Sequence, residues 1–257
     1  MARILIFGSC SGTEPEEGRH HVSFAVEAGN RYYWFDAGEN CSYTAHLMGV
    51  DLLRVRSIFI SHTHMDHVGG LGNLRWNIRK LCWVYQSAPA DDTIRLFIPN
   101  LESWQGIFTM LRNTEGNFEC NFALDVKRPE DGLIYQDENI RVTALHNGHL
   151  PDNEKGEHLA YSYRIETEGK SIVFSGDVGG PDDLNDLIGD GCDLLLMETG
   201  HHKVKTCCDY AEAHNVKQLT FLHHGREILD HEPTVQPALA ACRLHPVISW
   251  DKMVIEL

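Results

Sequence analysis

Between Ser61 and His67 the chain reads Ser61-His62-Thr63-His64-Met65-Asp66-His67, which puts four side chains able to bind a metal ion within six residues. Imidazole and carboxylate together suit divalent cations such as zinc, manganese and iron. The run follows the apolar Ile58-Phe59-Ile60 and precedes Val68-Gly69-Gly70-Leu71. A turn leaving the end of such a strand can aim His62 and His64 at one point while Asp66 and His67 curl back toward a second, and the glycines let the backbone pass close to the metals. Two cations about 3.5–4 Å apart would acidify a water and grip an oxygen of the group being cleaved. A chance histidine-rich loop is the bland alternative, and the order H-x-H-x-D-H at a strand end argues against it.

One short motif leaves a dinuclear site incomplete, so further ligands must arrive from distant parts of the chain. Three positions suit: His149 after Arg141 to Leu145, Asp177 in Phe174-Ser175-Gly176-Asp177, and His223 at the end of Leu219-Thr220-Phe221-Leu222. Each lies at the C-terminal edge of an apolar strand-like run, where loops of layered α/β proteins assemble sites. His146 competes with His149, since both lie in Ala144-Leu145-His146-Asn147-Gly148-His149, but the flexible Gly148 favours the later residue. His224, beside His223, reads as a pocket wall or helix start. Met197-Glu198-Thr199-Gly200-His201-His202-Lys203 adds another cluster of polar groups.

Elements able to position these residues are legible in the spacing. Ile4 to Phe7, Val22 to Glu27, Tyr32 to Phe35 and Ser57 to Ile60 read as strands separated by Gly, Asn and Asp. Helices are expected over Asp66 to Lys80 and Glu102 to Arg112. Ile140 to Leu145, Leu159 to Ile165, Ser171 to Phe174, Asp193 to Met197 and Leu219 to Leu222 form a second set of strands, with a helix over Val204 to His214 and a last strand over Met253 to Glu256. Each half runs from strands to ligand-type residues and then a helix, as expected if two sheets pack face to face with helices outside. No linker or composition break interrupts the 257 residues, so one domain over 1–257 is expected.

Composition narrows the partners. Hydrophobic residues make up 42% and charged residues 23%, ordinary globular values, and no apolar run reaches the ~20 residues a bilayer crossing needs. The opening Met1-Ala2-Arg3-Ile4-Leu5-Ile6-Phe7-Gly8 is too short in its apolar part for a signal-peptide core. The eight cysteines include no C-x-x-C pair, which fits a reducing cytoplasm. A net charge of −15, carried in Glu14 to Glu17, Asp152 to Glu157 and Asp182-Asp183 with no basic cluster, disfavours long nucleic acid. Bound cations would cancel several of those charges at the site, so a small anionic substrate is still expected. No membrane partner is expected, and a homodimer is compatible with this surface.

Over nearly its whole length the chain resembles the metallo-β-lactamase superfamily, in particular the branch of ribonuclease Z and related phosphodiesterases. Gly8-Ser9-Cys10-Ser11-Gly12-Thr13-Glu14-Pro15 is similar to that branch's N-terminal glycine-rich turn, and Phe35-Asp36-Ala37-Gly38-Glu39-Asn40 to its aspartate-glycine-glutamate segment. The resemblance implies an α/β fold, the four-layer αββα sandwich of the metallo-β-lactamase fold. It also implies two divalent ions, with zinc first and manganese or iron as alternatives. His62, His64 and His149 would hold one ion and Asp66, His67 and His223 the other, with Asp177 bridging, and Asp66 would also hold the nucleophile in line. His201 falls where the branch places a catalytic histidine, with Glu198 orienting it, although His202 and Lys203 replace the small hydroxyl residues usual after it.

These features imply a metal-dependent hydrolase, with a phosphodiesterase for a small or cyclic phosphodiester or short nucleotide as the leading reading. The long basic arm that holds transfer RNA in ribonuclease Z has no counterpart between His149 and Asp177, a short interval containing Asp152, Glu154 and Glu157 against Lys155. A ribonuclease Z-type tRNA 3′-end endonuclease, a lactone or thioester hydrolase and an iron-dependent sulfur dioxygenase are the alternatives.

Overall fold

The structure, a computed structural model, describes residues 1–114 and 116–257. Its first half contains β1 (Arg3–Gly8), β2 (Ser23–Ala28), β3 (Arg31–Phe35), α1 (Cys41–Leu47), β4 (Val55–Phe59), α2 (Met65–Val68), α3 (Leu71–Val84), β5 (Thr93–Phe97), α4 (Leu101–Arg112) and β6 (Ala123–Lys127). The second contains β7 (Gly132–Gln136), β8 (Arg141–His146), β9 (Tyr161–Thr167), β10 (Lys170–Phe174), α5 (Asn185–Ile188), β11 (Cys192–Thr199), α6 (Val204–Ala213), β12 (Val216–His224), α7 (Arg226–Leu229), α8 (Val235–Ala241), β13 (Val247–Ile248) and β14 (Val254–Glu256).

Period-two alternation builds the layers. In β1 the side chains of Ile4 and Ile6 enter the cluster between the sheets, while Leu5 and Phe7 join the cluster beneath the helices. In β3, Tyr33 and Phe35 face inward and Trp34 outward, as side chains on a pleated strand must. The two sheets meet through an edge-on contact between Phe24 and Phe174, ring centroids 4.9 Å apart, while Phe24 stacks on Phe35 of its own sheet at 5.0 Å. Each such buried ring stabilises the fold by about 1.5–3 kcal/mol. The outer cluster of the first sheet takes in Cys41 and Ala45 of α1, Leu74 and Ile78 of α3 and Trp104 of α4, and that of the second takes in Leu187 of α5 and Val204, Cys207 and Ala211 of α6. The result is the expected α/β, four-layer αββα sandwich of the metallo-β-lactamase fold.

Both sheets have seven strands, in the orders β14-β1-β2-β3-β4-β5-β6 and β13-β12-β11-β10-β9-β8-β7. The chain's last strand returns to the first sheet, where Ile255 pairs with Ile4 antiparallel. β3 to β6 run parallel to one another, as do β10 to β13, so each sheet ends several strands at one edge. Loops leaving these C-terminal ends are the natural place for a site.

The helix expected over Asp66 to Lys80 is interrupted: α2 stops at Val68 and α3 begins at Leu71. Gly70 has a packing role here. A Cβ on Gly70 would come within 2.1 Å of the Gly38 carbonyl oxygen. That close approach lets Gly70 N–H donate to Ala37 O at 2.8 Å and Ala37 N–H to His67 O at 2.7 Å, which ties the motif to the end of β3. Among the described residues no helix is long and apolar enough to cross a membrane.

Candidate metal centre

The ends of β3, β4, β8, β10, β11 and β12 deliver the charged side chains. His62 leaves β4 fully buried, and its Nε2 lies 3.0 Å from Nδ1 of His64, which caps α2. Across from them His149, reached through the loop after β8, brings Nε2 to 3.5 Å from the same His64 nitrogen. Asp177, beyond β10, places Oδ2 3.6 Å from His62 Nε2 and 3.7 Å from His149 Nε2. The four residues offer ligand atoms that all lie within 4.8 Å of one another.

A second group adjoins the first. Nε2 of His67 stands 3.3 Å from Oδ2 of Asp66 and 3.3 Å from Nε2 of His223, which in turn is 3.1 Å from Asp66 Oδ2. Asp177 faces this group with its other oxygen, Oδ1, 3.4 Å from His67 Nε2. Donors about 2.1 Å from one cation at tetrahedral angles sit about 3.4 Å apart, the spacing found in both groups.

The donor set fits divalent cations on two further grounds. Asp177 Oδ1 and His223 Nδ1 are buried without a hydrogen-bond partner, an arrangement that costs about 1–3 kcal/mol per group unless something else satisfies it. The charges also ask for a cation. Burial disfavours ionised Asp66 and Asp177, yet the imidazoles around them hold both carboxyls far below the usual range. Burial likewise opposes charge on His67 and His223, yet Asp177 with Asp36 drives His67 well up, and Asp177, Asp66 and Glu198 push His223 up to about 9. Positive charge is therefore favoured at the point where the acids converge.

Supporting contacts fix the rings. Asp36, fully buried after β3, accepts from Ser61 N–H at 2.6 Å, Ser61 Oγ–H at 2.7 Å and His67 Nδ1 at 2.6 Å, leaving His67 Nε2 for the cluster. The sequence carries one signal for this role, an acid placed directly after the apolar Tyr32 to Phe35. Such partners orient a metal-binding imidazole and raise its basicity. Asp36→Asn should accordingly weaken metal binding by about 10–100-fold in a competition titration against a chelating indicator, and unchanged affinity would remove Asp36 from the centre. Asp36 holds φ 50° and His223 φ 52°, both in the left-handed region.

Glu198, at the end of β11, is buried and accepts from Val178 N–H at 3.2 Å and from the backbone N–H of His201 at 2.9 Å. Its Oε2 lies 3.1 Å from His201 Nδ1 and 3.7 Å from His223 Nδ1. Burial opposes its charge, but the contacts with His201 and His223 hold its carboxyl at about 2. The same pairing raises His201 against the effect of burial. The His201 ring is half exposed and stands 5.0 Å from that of His149 and 5.8 Å from that of His223. Asp177, Glu198, His201 and His223 also form a third combination with ligand atoms within 4.8 Å. Gly200 makes this crowding feasible, because a Cβ there would lie 2.6 Å from His223 Nδ1.

Three neighbouring histidines are otherwise engaged. His146 pairs with Asp131 at 2.7 Å and stacks on His158 at 3.8 Å, outside the two groups of four. His224 uses Nε2 to donate to Ser249 O at 2.9 Å, and burial pushes it down to about 3. His202 donates from Nε2 to Val178 O at 3.1 Å, tying the loop before α6 to the one carrying Asp177.

Known proteins repeat this architecture. The chain is 33% identical to a ribonuclease Z of Methanocaldococcus jannaschii over 85% of its length and 84% of that protein's. The metallo-β-lactamase fold protein YhfI of Bacillus subtilis superimposes with a TM-score of 0.76 at 15% identity, over 98% of both chains. Human tRNase Z, short form, gives 0.74 at 20% identity over 99% of this chain and 98% of its own. At these identities the two solved structures speak for the fold alone. The family model of the anti-Pycsar protein Apyc1 matches residues 2–224, which span every group described above. The chain has the metallo-β-lactamase fold and belongs to the family of the anti-Pycsar protein Apyc1.

Proposed function

We propose that the chain is a dinuclear metal-dependent phosphodiesterase for a small or cyclic phosphodiester or a short nucleotide. The observation that carries this reading is His201 held by the buried Glu198 beside the shared carboxylate of Asp177. A general acid at that point serves an alkoxide leaving group, whereas a thioester expels a thiolate with less need of it.

His62, His64 and His149 would hold one cation, Asp66, His67 and His223 the other, with Asp177 shared. When bound, the cations supply Lewis acidity that makes a water nucleophilic near neutral pH and offsets charge gathering on phosphorus oxygens. Asp66 orients the attacking water toward phosphorus and accepts its hydrogen bond. His201, its Nδ1 held by Glu198, gives the proton on its other ring nitrogen to the departing oxygen and regains one from solvent. Glu198 keeps that ring in place and bears on His223 as well, so it couples the acid to the cation site.

The ribonuclease Z relative gives weight to a tRNA 3′-end endonuclease as second reading, but the loop from 147 to 160 offers RNA little attraction. There Asp152 pairs with His158 at 2.7 Å and Glu157 with Arg128. Metal-reconstituted protein should hydrolyse bis-nitrophenyl phosphate and cyclic nucleotides faster than pre-tRNA, lactones or thioesters assayed under the same conditions. Efficient lactone or thioester turnover with no phosphodiester turnover would defeat the proposal.

The ligand choice has its own test. His149→Ala should lose bound metal by elemental analysis, whereas His146→Ala, which removes only the contacts with Asp131 and His158, should keep most of it. Equal metal content in the two variants would take His149 out of the centre.

A further inference from the structure

His149 and Asp177 reach the centre from strands that are not neighbours. β8 ends at His146 and β10 at Phe174, and β9 lies between them in the sheet. Strands two places apart are about 9–10 Å from each other, so the loops that follow must lean together before His149 Nε2 and Asp177 Oδ2 can stand 3.7 Å apart.

Asp183, in the turn Pro181–Leu184 before α5, spans that gap. Its Oδ2 accepts from Gly148 N–H at 2.9 Å on one side, and from Gly179 N–H at 2.9 Å and Gly180 N–H at 3.4 Å on the other. Bonds from backbone N–H to a carboxylate are roughly twice as strong as those between neutral groups, and here one oxygen holds two segments at a fixed separation. The backbones touch at the same place: a Cβ on Gly179 would lie 2.8 Å from the Gly148 carbonyl oxygen.

The two loops differ in their other anchors. Next to Asp177, Val178 N–H donates to Glu198 at 3.2 Å and Val178 O accepts from His202 Nε2 at 3.1 Å, which fixes this loop to the end of β11 and the segment after it. In the other loop the anchor is Asn147, whose N–H donates to Ala160 O at 3.1 Å and whose Nδ2 donates to Ser162 Oγ at 3.0 Å. Beyond it Gly148 is exposed, and His149 N–H only turns back to Asn147 Oδ1 at 3.1 Å. Asp183 therefore joins the looser loop to the firmer one. Gly148 and Gly179 are both exposed, so water can take the place of the carboxylate at their N–H groups, and the acid adds placement more than stability.

We propose that Asp183 is a positioning residue of the centre: by tying Gly148 to Gly179 it sets how closely His149 approaches Asp177, and with that the affinity for the cation they share with His62 and His64. The inference rests on His149 and Asp177 being ligands. Ligand distances tolerate only about 0.2 Å of error, so a slack loop weakens this ion. Asp66, His67 and His223 meet the other oxygen of Asp177, whose own loop stays anchored, and keep theirs.

Zinc titrated into metal-free, full-length protein against a chelating indicator reads the two affinities as separate steps. Asp183→Ala should weaken one step about 10–100-fold and leave the other at the parent's value. In the metal-free protein the same variant should exchange the Gly148 amide hydrogen faster. Asp183→Asn, whose amide oxygen still accepts from both glycines, should recover most of the lost affinity. Gly179→Ala, which forces the loops apart with Asp183 in place, should weaken the same step as Asp183→Ala, and it decides if that variant does not fold. Parent-like binding in both steps, an equal loss from both steps, or an Asp183→Asn variant as weak as Asp183→Ala would overturn the proposal. His149→Ala, titrated beside them, separates the two failures. If it keeps both ions, the ligand assignment falls and the proposal with it; if it loses one while Asp183→Ala binds like the parent, the proposal falls alone.

Discussion

Asp177→Ala is expected to remove both cations and to lower hydrolysis by more than ~100-fold, beyond what loss of a supporting partner costs. The reason is geometric. Oδ2 of Asp177 faces His62 and His149 while Oδ1 faces His67, so one substitution takes a donor from each group of four. His64 belongs to one group only, and His64→Ala should reduce the metal content toward one ion per chain before it affects the second. Elemental analysis of protein freed of excess metal reads both numbers. A variant at Asp177 that keeps its metal and its rate after reconstitution would show that the acids and imidazoles converge for another reason.

His201→Ala tests the chemistry rather than the metals. The expected result is retention of both ions with turnover slowed by ~10²–10⁴-fold on a substrate whose leaving group is an alkoxide, the usual worth of a positioned general acid. On bis-nitrophenyl phosphate the loss should be much smaller, because nitrophenolate departs without a proton. Glu198→Gln should resemble it in part, since an amide still accepts from His201 N–H but no longer supports positive charge on the ring. The third combination of ligand atoms, in which His201 joins Asp177, Glu198 and His223, gives the contrary outcome a physical meaning. Metal lost from His201→Ala would make His201 a ligand, and similar, small effects on all phosphodiesters would remove the acid altogether.

Which parts of this were legible in the sequence follows from how each residue is positioned. His62, His64, Asp66 and His67 sit in one turn, so local order announced them. His149, Asp177 and His223 could be nominated because each ends an apolar run, but no local signal says that three such ends meet; that depends on two sheets packing with their parallel strands ending at one edge. Asp36 was invisible as a partner of His67 because its contact spans 31 residues and two strands. Among the elements, α1 gave no amphipathic pattern, since its buried face is Cys41, Ser42, Thr44 and Ala45. β6 and β7 close their sheets at the edge, and β6 buries no residue fully, so neither carries the dense apolar run of a central strand.

The left-handed backbone at Asp36 and His223 has a consequence for how this protein can change. A residue with a side chain held in that region costs about 1–3 kcal/mol, so the two positions together draw on the order of 2–6 kcal/mol from a fold whose net stability is typically about 5–15 kcal/mol. Glycine relieves the strain at either position and asparagine eases it, and neither reproduces the contacts made there by carboxylate or imidazole. At Asp36 the exchange is unfavourable all the same, because glycine there strands Ser61 N–H, Ser61 Oγ–H and His67 Nδ1 at about 1–3 kcal/mol for each buried group left unpaired, so variant libraries sorted by thermal resistance alone should keep this acid in its left-handed backbone.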